Sequence, residues 1–400
     1  MGYNVLMDNP ITHRAYKYRF YPTREQEELL LRTFGCAGLV YNKALDVRKN
    51  SWEEKGIKVS YGDTSKMLTE WRNSEEFGFL KEVSAVALQQ ALRHLQTAYE
   101  NFFRKTAGYP QFKSSRSTQS ISFVGGSFRI KGKKVKLTKM REPLNIRWSK
   151  RLPKGVKPTS VTVSVDRAGR WYIVFLVEEE IKKLPEMGNN MGNNMGNKVG
   201  IDLGVKDFAV TSDGKKYDAP KISRRKQAQI RRVQKEISRR EKASRNREKS
   251  RQKLAKLHTK VADRRRDFNH KLSTKIISEN QVIVVEDLNV KGMMKKGGAY
   301  KKGLNRAIAN SVWREFVNML EYKAKWYGRT LIKVDRWFPS TQLCSNCNAR
   351  TGPKGDLSVR TWTCDNCGTR HDRDVNAARN ILAAGLAVTA CGDECKTLAA

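Results

Sequence analysis

Residues 199–213 read VGIDLGVKDFAVTSD, and the periodicity of this stretch decides how the second half of the chain folds. Val199, Ile201 and Leu203 alternate with Gly200, Asp202 and Gly204, the period-two pattern of a strand with one buried face. Asp202 stands on the other face between two residues without side chains, so a bulky ligand is expected to reach it there. Phe208 and Val210 continue into a second strand, and Ser212-Asp213-Gly214 signals a turn, which makes the segment a hairpin meander. Further on, QVIVVED at 281–287 contains the apolar run Val282–Val285, typical of a strand buried on both faces. Glu286 closes that strand at its C-terminal end, where open α/β sheets carry functional groups. A long polar helical region at 222–280, a helix at 311–327 and a strand at 330–334 complete a βαβ-like order. The amphipathic helix VNAARNILAAGL from 375 follows a cysteine-bearing insert, and Asp374 falls in its first turn, where the helix dipole tolerates a negative charge.

Three carboxylates from distant parts of the chain, Asp202 and Glu286 at sheet positions and Asp374 at a helix start, are what a pair of hard divalent cations needs. In phosphodiester cleavage such ions sit about 3.5–4 Å apart, one activating water and the other stabilising the leaving oxygen. The competing reading is that each is a capping or surface acid, since Asp372 lies two residues from Asp374 and Asp287 adjoins Glu286. The cysteines are more specific. Cys344-x2-Cys347 is followed after sixteen residues by Cys364-x2-Cys367, the spacing of a tetrahedral four-thiolate zinc site, and a redox pair has no need to occur twice. Asn348 and Gly368, which enter the left-handed conformation easily, follow the two pairs as tight knuckle turns require. Cys36, Cys391 and Cys395 have no such partners and read as buried or incidental thiols.

Outward from this half, the first 180 residues change character twice. RAYKYRF at 14–20 alternates as a half-buried strand. Thr23 and Gln26 have capping-box spacing, so a helix begins there with Gly35 as its expected end. Further helices are expected at about 36–50, 63–73 and 84–105, the last carrying Leu88, Leu92, Leu95, Tyr99 and Phe102 at helical spacing. From Ser120 to Glu180 short β-rich runs (SISFV, VTVSV, WYIVFLVE) predict a small barrel or curved sheet, with the opening strand as one of its members. Residues 187–197, MGNNMGNNMGN, form a tandem repeat without a packable face, expected to be a flexible linker at the main domain boundary.

The chain has 400 residues, enough for two or three domains, and 79 Lys and Arg against 40 acids, a net charge of +39. That excess exceeds any requirement of solubility and points to a polyanionic partner. Apolar residues at 39% argue against wholesale disorder. No apolar run approaches the roughly 20 residues of a membrane span, and MGYNVLMDNP lacks the apolar core of a secretory signal, so a cytoplasmic location is expected. The charge concentrates at 221–280, with 22 Lys and Arg against six acids and Phe268 its lone aromatic. Such a run repels itself unless phosphates neutralise it. His94, His258 and His270 fall in helical segments without paired ligands and read as packing or phosphate-contact residues.

The combination IDLGVKDFAV, VIVVEDL, the paired C-x2-C insert and HDRDVNAARNI resembles the TnpB family of transposon-encoded RNA-guided nucleases, related to the type V CRISPR effectors. The resemblance runs from RAYKYRFYPT through RDFNHKLST and EYKAKWYG to the last helix. It implies an α+β multidomain fold: a wedge β-barrel at 1–23 and 113–184 with a helical recognition domain inserted at 24–112, and a linker at 185–197. An RNase H-like (RuvC) α/β domain follows at 198–340 and 370–390, with a mobile lid at 287–309. It is interrupted at 341–369 by a zinc-ribbon insert that binds target nucleic acid, and a tail occupies 391–400. It implies further that Asp202, Glu286 and Asp374 form a catalytic triad for two magnesium ions, which favours Asp374 over Asp372, and that Cys344, Cys347, Cys364 and Cys367 hold one zinc. The expected partners are a guide RNA from the transposon end and double-stranded target DNA, with sequence read by base pairing and a short adjacent motif read by the protein. Tyr61, Gln89 and Phe123 fall where the family's motif readers lie. An unguided structure-selective nuclease and a non-catalytic zinc-ribbon regulator are the alternatives. The leader before Ile11 and the MGNN repeat map to no family function.

Overall fold

Strand β1 (Ile11–Tyr21) forms where the alternation predicts it and buries Tyr18 and Phe20. The computed structural model describes residues 11–114, 118–153, 155–185, 197–295, 298–354 and 358–390. The chain divides into two compact units, Pro10–Glu180 with Arg232–Lys256, and Ile181–Arg231 with Leu257–Ala400.

In the first unit the Thr23–Gln26 capping box starts helix α1 (Arg24–Lys55). Gly35 does not end it, and the separate helix expected at 36–50 is its continuation. Leu30, Phe34, Ala37, Val40, Tyr41, Ala44 and Leu45 form one buried stripe across the glycine, and that packing outweighs a local cost of about 1 kcal/mol. The end comes at Gly56, whose φ of +64° and N–H bonds to Ser51 and Trp52 carbonyls make a left-handed cap. Helices α2 (Tyr61–Asn73) and α3 (Ala85–Phe103) follow, α3 burying Leu88, Leu92, Leu95 and Tyr99 at the predicted spacing. Then come β2 (Gln119–Val124), β3 (Phe128–Lys131), β4 (Lys134–Leu137), β5 (Asn145–Arg147), β6 (Ser160–Val165) and β7 (Trp171–Glu180). The opening strand does join this set: β1 pairs antiparallel with β7 from Ile11↔Glu180 to Arg19↔Tyr172, and with β5. The order β2-β6-β7-β1-β5 has two ends, and β3 and β4 make a hairpin bridged at Val135↔Leu144 to the chain entering β5. Among the described residues the hydrogen bonds therefore give an open sheet rather than a closed barrel.

The second unit is built on β8 (Lys198–Asp202), β9 (Ala209–Thr211) and β10 (Lys216–Tyr217). The polar helical region is two helices, α4 (Arg224–Arg239) and α5 (Arg245–Glu279), parted where Ala243 takes φ +69°; Arg232–Lys256, the end of α4 and the start of α5, is counted with the first unit. Strand β11 (Val282–Glu286), helices α6 (Val290–Met293), α7 (Ala299–Ser311) and α8 (Trp313–Tyr327), and strand β12 (Thr330–Val334) follow. The hairpin β13 (Thr361–Thr363) and β14 (Arg370–Asp372) leads to α9 (Arg373–Ala390). The sheet runs β10-β9-β8-β11-β12, with β8, β11 and β12 parallel and β9 antiparallel to both β8 and β10.

Strand β11 is buried on both faces, as its composition predicts. Ile283 and Val285 pack with Leu272, Ile276, Phe316 and Leu320 of α5 and α8, while Val284 packs with Ile381 of α9. The flanks of the MGNN repeat are both tied into this unit. Leu184 N–H donates to Tyr327 O (3.1 Å), Arg329 Nη2 to Pro185 O (3.0 Å), and Gln281 N–H to Asn197 O (2.7 Å). The division between units thus falls before the repeat, at Glu180; the repeat itself, the leader and Cys391 and Cys395 lie outside the described residues. Among the described residues no helix is long and apolar enough to cross a membrane.

Candidate active site and metal centre

Register and helix packing bring the predicted acids together. Val285 pairs with Ile201 in parallel, so one residue further along, Glu286 lies beside Asp202 at the C-terminal ends of two adjacent strands. Both share the sheet face of Gly200 and Val284, the face that α9 covers. A Cβ on Gly200 would lie 2.1 Å from Ala378 O, and one on Gly385 would lie 2.4 Å from Val284 Cγ1. This corrects the expectation for Gly200: the space beside Asp202 on that side is filled by α9, and only glycine lets the helix come so close. The gap at Gly204 is likewise taken, since a Cβ there would lie 2.8 Å from Asp207 O. The close approach of α9 is what carries Asp374, in its first turn, to the strand ends.

Burial and mutual repulsion act on the trio. Asp202 is pushed up to about 7 by desolvation first and by the charge of Asp374 second, with Arg373 opposing. Glu286 is also pushed up to about 7, by desolvation, then by Asp202 and Asp335. Two carboxyls raised by their neighbours' charge form a site that favours either protons or cations. Their competitors have other work. Asp372 Oδ1 accepts the backbone N–H groups of Asp374 and Val375 (both 3.1 Å), capping α9, and its Oδ2 pairs with Lys216 Nζ at 2.7 Å. Asp287 pairs with Arg336 Nη2 at 2.8 Å. Asp374 meets Arg360 Nη1 at 3.4 Å and Arg373 Nε at 3.3 Å.

The cysteines form two matched knuckles. Asn348 N–H donates to Cys344 O and Gly368 N–H to Cys364 O (2.9 and 2.8 Å), with Asn348 at φ +60° and Gly368 at φ +70°. The four Sγ atoms lie within 4.8 Å of one another, with Cys344–Cys367 and Cys347–Cys364 both at 3.6 Å. Tetrahedral thiolates at the zinc–sulfur distance stand about 3.8 Å apart, so the donor set fits zinc. Hydrogen bonding with Thr369 draws the Cys367 thiol down to about 5, and that with Thr351 lowers Cys364, while burial pushes Cys344 up to about 11.

Several residues here carry no local sequence signal strong enough to single them out. His371 Nε2 lies 3.0 Å from Cys344 Sγ, and its ring is 4.8 Å from that of Trp362. Asn376 Nδ2 donates to Leu343 O and its Oδ1 accepts from Ser345 N–H (2.7 and 2.8 Å), while Asn380 Nδ2 donates to Ser340 O and Leu343 O (both 2.7 Å). These buried amides clamp the first knuckle to the helix that bears Asp374. Two asparagines four apart on an otherwise apolar helical face were the available clue. In the first unit, Tyr61 is half-buried under the Arg93 guanidinium and Gln89 is exposed. Phe123 is 2% exposed in the core, so it packs rather than reads DNA, which corrects the expectation for that residue.

Comparison with known proteins closes the question of kinship. The chain is 51% identical over 381 residues to a Streptomyces pristinaespiralis protein named "Putative RNA-guided DNA endonuclease", covering 95% of this chain and 91% of that one. The chain belongs to the TnpB family. The family model for OrfB/IS605 probable transposases matches residues 176–297, a Cas12f1-like TNB domain matches 313–381, and a helix-turn-helix domain matches 7–57. The first two spans hold all three acids and all four cysteines. Within the third, this TnpB chain has a strand followed by one unbroken helix. The Escherichia coli K12 protein InsQ, whose name also describes an RNA-guided DNA endonuclease, is 34% identical over 95% of this chain and 94% of its own. A solved Cas12f1–sgRNA–target DNA complex matches in fold with a TM-score of 0.53 at 14% identity, covering 93% of this chain and 98% of that one. The TnpB chain accordingly has a Cas12f-like α+β fold with a RuvC-type nuclease and a four-cysteine cluster able to hold zinc.

Proposed function

We propose that this protein is an RNA-guided DNA endonuclease whose reaction centre is Asp202, Glu286 and Asp374. The observation that carries the reading is the convergence of three carboxylates on one sheet face, in a chain that matches relatives named for this activity over nearly its full length. The three do not gather as tightly as the thiols: among the described residues the four cysteines are the only set of three or more such donors within 4.8 Å. Magnesium ions would be held by these three acids. When bound, such ions activate water and stabilise the leaving oxygen.

The chain's own groups prepare that site. Desolvation and repulsion keep Asp202 and Glu286 short of full ionisation near pH 7, and Arg373 offsets part of the charge. Arg360 and Arg373 hold Asp374 in place. Cys344, Cys347, Cys364 and Cys367 hold one structural zinc, and Asn376 and Asn380 tie that module to α9. The sheet of the first unit serves as the wedge domain and its helices as the recognition domain, where Tyr61 and Gln89 remain candidates for contact with the adjacent DNA motif. The 287–309 segment serves as a lid; the β-branched Val312 at φ +54° between α7 and α8 supports a hinge there. Basic helices α4 and α5 neutralise RNA or DNA phosphates.

The test is to express the gene with its flanking DNA, purify the protein at high salt and sequence the RNA that stays bound. One dominant species with a constant scaffold and a variable end, which then programs magnesium-dependent cutting of a matching duplex, is expected. A heterogeneous pool with unguided cutting would overturn guidance, and no metal-dependent cutting would overturn catalysis.

A further inference from the structure

Trp337 is 84% exposed, the highest among the described large apolar side chains. No other aromatic ring and no cation packs on its ring among the described residues. Its position is defined by the reaction centre. Strand β12 ends at Val334, the in-register partner of Glu286, and Asp287 N–H donates to Val334 O at 3.0 Å. Three residues further at most about 3.6 Å each bring the chain to Trp337, so the indole is displayed beside the strand ends that carry the acids.

The turn that holds it is fixed at both ends. Asp335 Oδ1 accepts the Trp337 N–H at 2.8 Å, and Phe338 N–H donates to Asp335 O at 3.1 Å. Arg336 bonds back to Asp287, next to Glu286. Phe338 then packs onto the Val284, Val334 and Ile381 core, and Ser340 is held by Asn380. A turn tied at both ends that displays a bare indole beside the proposed reaction centre has the chemistry of a base-stacking platform, a flat π-face for the base.

We infer that Trp337 is a substrate-positioning residue that stacks on an unpaired base of the DNA strand being cut. This deepens the proposed function and rests on the reading that the three acids cut guided DNA. Stacking leaves the base identity open, because every base offers a π-face, and it requires the base to be out of its duplex.

The experiment begins with the guide-loaded full-length protein and a matching duplex, on which wild-type cut positions are mapped. Abasic residues are then placed singly at each of the three nucleotides on either side of the cut, and cleavage rates are compared for wild type, Trp337→Ala and Trp337→Phe. In the wild type, one or two neighbouring abasic positions are expected to slow cutting about tenfold or more. Trp337→Ala is expected to show that loss on the intact substrate and no further loss at those positions. Trp337→Phe, which keeps a ring, stays within about threefold of wild type. Guide-RNA retention, target capture and zinc content are expected to be unchanged in both variants, since the stack forms only where the strand is cut. Wild-type rates for Trp337→Ala on the intact substrate, or an abasic penalty that persists undiminished in that variant, would overturn the inference. Absence of guided cutting by the wild type would overturn the underlying reading and this inference with it, and shows itself before any variant is compared.

Discussion

The two candidate metal sites of the second unit are built by opposite strategies. The thiolate cluster is local: two C-x2-C knuckles, each closed by a residue at positive φ, lie within one short stretch of chain, the second of them at the turn of the β13–β14 hairpin. The carboxylate trio is non-local, drawn from two parallel strands and a helix that come together through sheet register and the contacts at Gly200 and Gly385. The local site announces itself by spacing and costs little chain entropy to close once a metal binds. The non-local one exists only when the whole sheet and α9 are in place. The first should therefore be able to fail alone, whereas loss of the fold must abolish the second.

The largest effect should come from the acids. Asp202→Ala is expected to reduce guided cutting by at least about a thousandfold with RNA retention intact, measured on purified ribonucleoprotein. The same change at Asp372, which caps α9 instead of facing Asp202, should leave substantial cutting. Equal losses at 372 and 374 would break the distinction between cap and ligand.

Removal of zinc comes next. Structural zinc in small modules carries about 10 kcal/mol or more of folding free energy, so Cys364→Ser or a strong chelator should unravel the knuckles. Metal analysis should give about one zinc per chain in the wild type. Native-state hydrogen exchange should rise across 341–372 and at the N-terminal turn of α9, while the first unit keeps its protection. Protection unchanged on chelation would defeat the zinc assignment.

How much was legible follows the same division. The cysteines, the capping box at Thr23, the strand alternation around Asp202 and the C-terminal position of Glu286 were written in short windows. Asp374 was legible only as one of two nearby acids, because the capping bonds of Asp372 and its pairing with Lys216 are facts of three dimensions. The reading of Gly35 as a helix end failed because a propensity of about 1 kcal/mol lost to a continuous buried stripe. Gly200 was seen as a gap, correctly, but what fills the gap is a helix 178 residues further on, at Ala378. Phe123 alternates like its neighbours, and nothing local distinguishes a core phenylalanine from a displayed one.

A smaller effect distinguishes the sites by pH. In the metal-free protein Asp202 and Glu286 are raised to about 7, above their values in the unfolded chain. The folded state therefore holds extra protons between about pH 4 and 7, and the stability they contribute is present below that window and lost as pH rises through it. Metal-free wild type should lose on the order of 2 kcal/mol across the window, a figure reduced for solvent screening. Asp202→Asn should flatten the curve, melting higher than wild type at pH 8 and alike at pH 4. Magnesium should reverse the wild-type loss and release protons, measured by titration calorimetry in two buffers. A pH-independent difference between wild type and Asp202→Asn would show that no proton is shared there.

The smallest effect tests whether the two regions are mechanically joined. Asn380 is buried and donates to the carbonyls of Ser340 and Leu343, at the entrance to the first knuckle. Asn380→Ala takes the donor from the Ser340 carbonyl, while the Leu343 carbonyl keeps the Asn376 amide, at a cost of about 1–3 kcal/mol, small beside the loss of zinc or of an acid. If the amide clamp serves only local stability, the variant should melt a few degrees lower and cut normally below its transition. If the clamp holds α9 in register against the knuckle, cutting should fall at temperatures where the protein is fully folded, with zinc content unchanged and with Asn380→Asp, which keeps the size but not the donor, no better than alanine. The second outcome is expected, because Asp374 sits on the same helix, fewer than two turns from Asn380, and the helix's close seat on Gly200 leaves little room for it to adjust.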